Sequence, residues 1–186
     1  MIRNRRVPLG TEGDQRLQAA LDNLGAASVR VSSLDPVTTE LVRLRCARHH
    51  DCRVCQSGRL GVARRAGLDE TMAAKVDYYW ASDLEEKHKV ALRFADALMT
   101  RPEDIETTLK DELHDHFNAK ELQDIAVLVM KFNHQKIHVA LGTDEASASL
   151  VEFDFAEDGH LDPSTLKRLS REDRMANVLA GTTPPT

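Results

Sequence analysis

The chain of 186 residues is 30% charged and only 4% aromatic, a balance that suits a soluble helical protein with a core of aliphatic side chains and alanine. Its formal net charge of −5 supplies no general attraction to nucleic acid, and no apolar run approaches the length of a membrane span. Three cysteines in a chain this large do not suggest a disulfide-stapled secreted domain, and the basic N-terminal stretch lacks the apolar run of a signal peptide, so a cytoplasmic protein is expected.

Residues up to about Thr11 show no periodicity and read as an arm. Over residues 14–24, Leu17, Ala20, Leu21 and Leu24 fall at helical spacing, with Gly25 as the expected stop. Asp35-Pro36 reads as an N-cap with proline in the first turn. Val37, Leu41, Leu44 and Ala47 then form an apolar stripe, with arginines opposite, on a helix that also carries Glu40. His49-His50-Asp51 is the expected break. Asp51 is placed as the cap of a helix that begins at Cys52 and runs to Ala66, with Cys55, Val62 and Ala66 inward and Gly67 as its stop.

Asp69 caps the next helix, and Ser82-Asp83-Leu84-Glu85 has the form of a capping box before a helix lined by Val90, Leu92, Phe94, Ala95 and Leu98. Pro102 opens another, with Ile105, Leu109 and Leu113 on one side. Asn118-Ala119-Lys120-Glu121 caps the strongest helical pattern, which keeps its period from Leu122 to Leu141 and stops at Gly142. Residues 125–130 are apolar all round, which predicts the buried centre of a bundle. Residues 1–144 thus read as a helical domain and 145–186 as a C-terminal extension. In the extension Val151, Phe153 and Phe155 alternate as a short extended segment, Asp162-Pro163 starts a small helix, and residues 181–186 form a loose tail. It lacks the means to form its own core and is expected to pack on the domain or on a neighbouring subunit.

The chemistry concentrates in residues 51–59, where Cys52 and Cys55 form a Cys-x-x-Cys pair. In the first turn of a helix, Cys52 would meet free backbone N–H groups and the positive end of the macrodipole, both of which favour a thiolate. Arg53, Arg59 and either His49 or His50 add to that effect, and the charge of Asp51 opposes it. Cys55, one turn on, resolves a mixed disulfide or a sulfenic acid. Two other readings stand beside this one. Cys46, His49 or His50, Cys52 and Cys55 are ligand types that zinc accepts, although here they crowd into ten residues. The cysteines can also be small hydrophobes, which suits Cys46 best. His134 and His138, one helical turn apart, lack a carboxylate partner at matching spacing and read as structural, as do His88, His114 and His116.

Glu40, the twelve-residue step to Cys52, Cys55 three residues later and the following Gly-Val-Ala-Arg-Arg-Ala-Gly-Leu resemble the carboxymuconolactone decarboxylase/alkyl hydroperoxidase D-like family. The piece Phe117-Asn118-Ala119-Lys120-Glu121-Leu122, with Asn133 and the ending Ala140-Leu141-Gly142 in the helix after it, is similar to that family's second helix, so the resemblance covers roughly residues 37–144. It implies an all-α helical bundle of the alkyl hydroperoxidase D-like type that assembles into trimers or hexamers, with a thiol centre that reduces peroxides. Glu40, Cys52 and Cys55 match the pattern by position. Where the alkyl hydroperoxidase D branch has histidines, this chain has Val54 and Arg59. An arginine can hold a thiolate by charge or pair with Glu40, but it does not shuttle protons at neutral pH, so a relay would fall to His49, His50 or water.

The expected function is therefore thiol–disulfide oxidoreduction directed at peroxides. Cys52 is expected to attack, on the ground of helix-end exposure, and Cys55 to resolve; Glu40 accepts or carries the proton and Arg59 gives electrostatic support. No cofactor or metal is required, and electrons come from a dithiol protein or a small thiol. Partners are a peroxide or other small molecule and further copies of the chain, with no nucleic acid and no membrane. The alternatives are a non-catalytic helical oligomer with a redox-sensing or structural cysteine pair, and a lactone decarboxylase-like enzyme.

Overall fold

The computed structural model describes residues 5–8, 11–145, 147–170 and 172. Helix α1 (Gln15–Arg30) starts where Asp14 accepts a hydrogen bond from the Arg16 N–H. It continues through Gly25, which does not stop it. The glycine is there for close approach: a Cβ at this position would lie 2.7 Å from Cε of Lys131, which crosses α1 at that point. Helix α2 (Pro36–His49) is capped as expected, with the Asp35 carboxylate accepting from Thr38 N at 2.8 Å. It is not a striped helix, however. Thr38, Thr39, Glu40, Arg43 and Cys46 are all buried along with the leucines, because α2 is surrounded by α6 (Glu86–Thr100), α8 (Ala119–Asn133) and the segment that follows α2.

That segment departs from the expected single helix. After Asp51, whose φ of 51° turns the chain sharply, come a one-turn α3 (Arg53–Gln56), a short strand β1 (Gly58–Leu60) and α4 (Gly61–Arg65). Cys52, rather than Asp51, occupies the N-cap of α3. A helix continues only if its carbonyls accept from N–H groups four residues on, and here side chains take them. Ser57 Oγ donates to the carbonyls of Arg53 and Val54, Arg43 to those of Cys55 and Gly58, and Arg59 to those of Gln56 and Gly58.

The chain turns at Gly67 (φ 105°) into α5 (Glu70–Ala74), capped by Asp69 as expected. Single 3₁₀ turns at Lys75–Asp77 and Tyr79–Ala81 lead to α6. The capping box at Ser82 does not form: its hydroxyl accepts from Leu84 N and donates to the Tyr79 carbonyl, while Glu85 holds the N-cap position without a side-chain bond. Pro102 lies in a turn, and α7 (Thr107–His116) begins beyond it. Asn118 and Glu121 cap α8 reciprocally. The long helical pattern breaks at His134, and α9 (Gln135–Leu141) ends at Gly142 in the left-handed conformation. Ile125, Leu128 and Val129 of α8 are buried, whereas Val127 and Met130 face outward, so this helix has an open apolar side.

The fold is all-α, with one small sheet among the described residues. Strand β2 (Val151–Phe153) pairs in parallel with β1, Gly58 opposite Val151 and Leu60 opposite Phe153, and antiparallel with β3 (Lys167–Arg168). The extension therefore packs on its own chain. Asp154 fixes it further by accepting from Val62 N at 2.9 Å and Arg65 Nη2 at 2.8 Å. Asp162 caps a 3₁₀ turn, Pro163–Thr165, where a small helix was expected. At the other end, Arg6 N donates to the Leu141 carbonyl, which ties part of the N-terminal arm to α9. The tail expected over residues 181–186 lies outside the described residues.

Candidate active site

The single turn of α3 brings Cys52 and Cys55 together, and the two are joined by a disulfide with Cα atoms 5.3 Å apart. Their surroundings differ. Cys52 is fully buried under α2, while Cys55 is partly exposed and lines a cavity of about 260 Å³. Around it stand Val54 and Gly58 from the α3–β1 segment, Arg43 from α2, Lys131, Phe132, His134 and Gln135 from the α8–α9 junction, and Phe153, Phe155 and Leu161 from the extension. The exposure that favoured Cys52 as the attacking thiol is thus reversed.

Glu40 is buried and both of its oxygens are engaged. Oε2 accepts from Arg43 Nε at 2.6 Å, and Oε1 accepts from Arg43 Nη2 at 2.8 Å and from Leu60 N at 3.3 Å. The same guanidinium donates to the Cys55 carbonyl at 3.0 Å and to the Gly58 carbonyl at 2.6 Å. Glu40 therefore bears on the cysteine turn through Arg43. Arg59 pairs instead with Glu70, at 2.9 and 2.7 Å, and does not line the cavity.

His49 is exposed, edge-on to His50, and also stands off the cavity. His50 Nε2 bonds Asn133 Oδ1 at 2.6 Å, and burial pushes its pKa down. The histidine that does line the cavity is His134. Burial, with the nearby Lys131 charge, pushes its pKa down, and its Nδ1–H donates to the Lys131 carbonyl, which leaves Nε2 as an acceptor in the neutral ring. Cys46 is a buried free thiol whose pKa is pushed up to about 12 by burial, as suits a core side chain. Among the described residues no group of three or more His, Cys, Asp or Glu side chains is placed to hold a metal ion. No helix there is long and apolar enough to cross a membrane.

Sequence reasoning missed Arg43, Lys131, His134, Gln135 and the phenylalanines. Arg43 had a readable signal, since it sits three residues from Glu40 and side chains at that helical spacing meet. The others come from distant segments, and only tertiary structure gathers them.

Residues 15–97 match the carboxymuconolactone decarboxylase family. Among curated proteins, an uncharacterised Mycobacterium tuberculosis protein is 37% identical over 139 residues, 74% of this chain and 49% of the relative. YnjA of Escherichia coli is 29% identical over 99 residues, 53% of this chain and 54% of the relative. The chain thus spans about half the length of the curated relatives it matches.

Two crystal structures share the fold. A protein of unknown function from Agrobacterium tumefaciens, described by name as an antioxidant defence protein AhpD, superposes with TM-score 0.65 and 19% identity, over 78% of this chain and 99% of that one. An uncharacterised peroxidase-related protein from Silicibacter sp. gives 0.61 and 20%, over 73% and 72%. The carboxymuconolactone decarboxylase family match thus lies over the segment that carries Glu40, Cys52 and Cys55, and the two crystal structures share the chain's fold.

Proposed function

We propose that the protein is a thiol–disulfide oxidoreductase that reduces peroxides, with Cys55 as the attacking thiol and Cys52 as the resolving one. The observation that carries this reading is the asymmetry of the pair: one sulfur borders a cavity and the other is sealed behind it. In the reduced protein the Cys55 thiolate attacks a peroxide oxygen. An S–O bond forms, the O–O bond breaks, and the departing alkoxide takes a proton to leave as an alcohol. Cys52 then attacks the sulfenic acid at Cys55; the S–S bond forms, and the released hydroxide is protonated to water. An external dithiol protein or small thiol returns two electrons and two protons and is itself oxidised to a disulfide.

This chemistry needs no bound cofactor and suits a reducing compartment such as the cytoplasm. His134, neutral and with Nε2 available, is the proton carrier at the cavity, the part for which the sequence offers His49, His50 or water. Glu40 is a positioning residue, since it holds Arg43 and Arg43 holds the cysteine turn. Arg59 braces the same turn through its carbonyl contacts. The names of the two structural neighbours, peroxidase-related and antioxidant defence, point the same way. We propose further that copies of the chain associate through the open side of α8 and α9, where Val127, Met130, Ile137 and Leu141 are exposed; sedimentation velocity reads the assembly state directly.

The test is thiol-dependent consumption of organic hydroperoxides by wild type, Cys52→Ser and Cys55→Ser. Both variants are expected to fall to background. After reduction, the lone Cys55 of Cys52→Ser should alkylate at least about tenfold faster than the lone Cys52 of Cys55→Ser, because access sets the rate. No turnover by wild type across several hydroperoxides and thiols would leave a redox-sensing or structural pair. Turnover of a lactone acid that survives alkylation would point to decarboxylase-like chemistry.

A further inference from the structure

Lys131 is a cation in an unusual place. It is only 6% exposed, and among the described residues its Nζ forms no ion pair or hydrogen bond, though the atom is not itself sealed from water. Burial lowers its pKa; Asp22 on α1 attracts it without forming an ion pair, and its Nζ stands 5.9 Å from the centre of the Phe132 ring. Drawing an ammonium group largely out of water is unfavourable unless something compensates it. The fold nevertheless makes room for it. The missing side chain at Gly25 leaves a notch in α1, and a Cβ there would lie 2.7 Å from Lys131 Cε and 3.3 Å from Nζ.

A second polar group beside it is also unsatisfied. Gln135 is 3% exposed, lines the same cavity as Lys131 and Cys55, and its buried Oε1 has no hydrogen-bond partner. Buried polar atoms are almost always partnered, so the unpartnered Gln135 amide beside an ammonium that forms no ion pair suggests a ligand that meets both.

We propose that Lys131 and Gln135 form a carboxylate-binding subsite beside Cys55, so that the substrates are organic hydroperoxides bearing a carboxylate on a short apolar body. This deepens the peroxide-reducing reading and rests on it for the identity of the reacting group. One carboxylate oxygen meets the ammonium. A half-turn of the Gln135 amide offers its NH₂ to the other. A single negative charge balances the single free cation, since the other cation lining the cavity, Arg43, is committed to Glu40. A dianionic phosphate would leave an excess charge in a chamber walled by Phe132, Phe153 and Phe155. At about 260 Å³ the cavity is smaller than a pocket for a drug-sized ligand, which suits a short-chain acid.

The experiment compares hexanoate with hexanamide by calorimetry on the full chain in its disulfide form. It then compares 6-hydroperoxyhexanoate with tert-butyl hydroperoxide in turnover. Wild type is expected to bind hexanoate at least tenfold tighter than the amide, and to prefer the charged hydroperoxide by a similar factor in kcat/KM, mainly through KM. Lys131→Met should lose both preferences. Gly25→Ala, which keeps the charge but displaces Cε, should weaken hexanoate binding. Thermal melting confirms that each variant is folded.

Equal affinity of wild type for hexanoate and hexanamide overturns the subsite, as does a preference that survives Lys131→Met; Lys131 then only covers the Phe132 ring. Turnover of both hydroperoxides without discrimination overturns the subsite and leaves the peroxidase reading intact. Lys131-dependent hexanoate binding with no peroxide turnover leaves the carboxylate site standing and overturns the hydroperoxide as its substrate.

Discussion

Glu40 and Arg43 lie three residues apart on α2, are both sealed from water, and form a two-point ion pair that reaches the cysteine turn. Breaking such a pair by removing one partner leaves an uncompensated charge, typically at a cost of about 3–5 kcal/mol. Glu40→Ala is expected to destabilise by that amount, read as a lower urea midpoint, because Arg43 stays buried and unpaired. Glu40→Gln keeps one acceptor oxygen and should lose less. If Glu40 instead worked as a proton carrier, Glu40→Gln would abolish turnover with the urea midpoint unmoved, an outcome that would refute the positioning role. At this scale the sequence revealed the dithiol and its glutamate, since their spacing is local. It named Arg59 and passed over Arg43, whose spacing from Glu40 was readable; that Arg59 pairs with Glu70 is known only from the fold.

The elements were legible where their ends carry a local signal. Asp35, Asp69 and Asn118 cap helices that start where the sequence puts them. Asp35 also bears on pH. Burial raises its carboxyl pKa, but hydrogen bonds from Lys87 and Thr38 outweigh that and hold it at about 2. A pKa depressed in the folded state means stability that is fully present above the unfolded value, near 3.9, and is lost as pH falls through the folded one. Because the side chain is partly open to solvent, about 1 kcal/mol is a fair discounted figure. Asp35→Ala should cost about 1–2 kcal/mol at neutral pH, and the gap to wild type should close between about pH 4 and pH 2. Urea melts across that window test it; a gap constant with pH would assign the effect to something other than the charge. Residues 52–66 were misread because their carbonyls are taken by Ser57, Arg43 and Arg59, and no helical periodicity reports such bonds. Gly25 misled for a related reason: it serves a neighbouring lysine instead of a turn.

For the whole molecule, the question is what residues 145–186 contribute to a bundle that the sequence already outlined. The change of character after Gly142 was readable, as was the alternation of Val151, Phe153 and Phe155. The partner strand was not: Gly58–Leu60 is too short to announce itself, and parallel pairing across such a separation has no local signature. Through that pairing the extension supplies part of the cavity. Phe153 lies against Gly58, where a Cβ would come within 2.7 Å of its Cε1, meets Phe155 edge-on at 5.6 Å, and carries the Arg43 guanidinium 5.9 Å from its ring centre. It touches both the strand pairing and the arginine that fixes the cysteine turn. Phe153→Ala is expected to cost about 2 kcal/mol, less than a fully buried phenylalanine because the ring is only half-buried. In the reduced Cys52→Ser background it should also open Cys55 to bulky maleimides, raising their alkylation rate several-fold while leaving that of iodoacetamide nearly unchanged. Equal acceleration of both reagents would mean that the thiol itself had become more reactive; no acceleration of either would mean that the extension is a brace on the bundle and not a wall of the site.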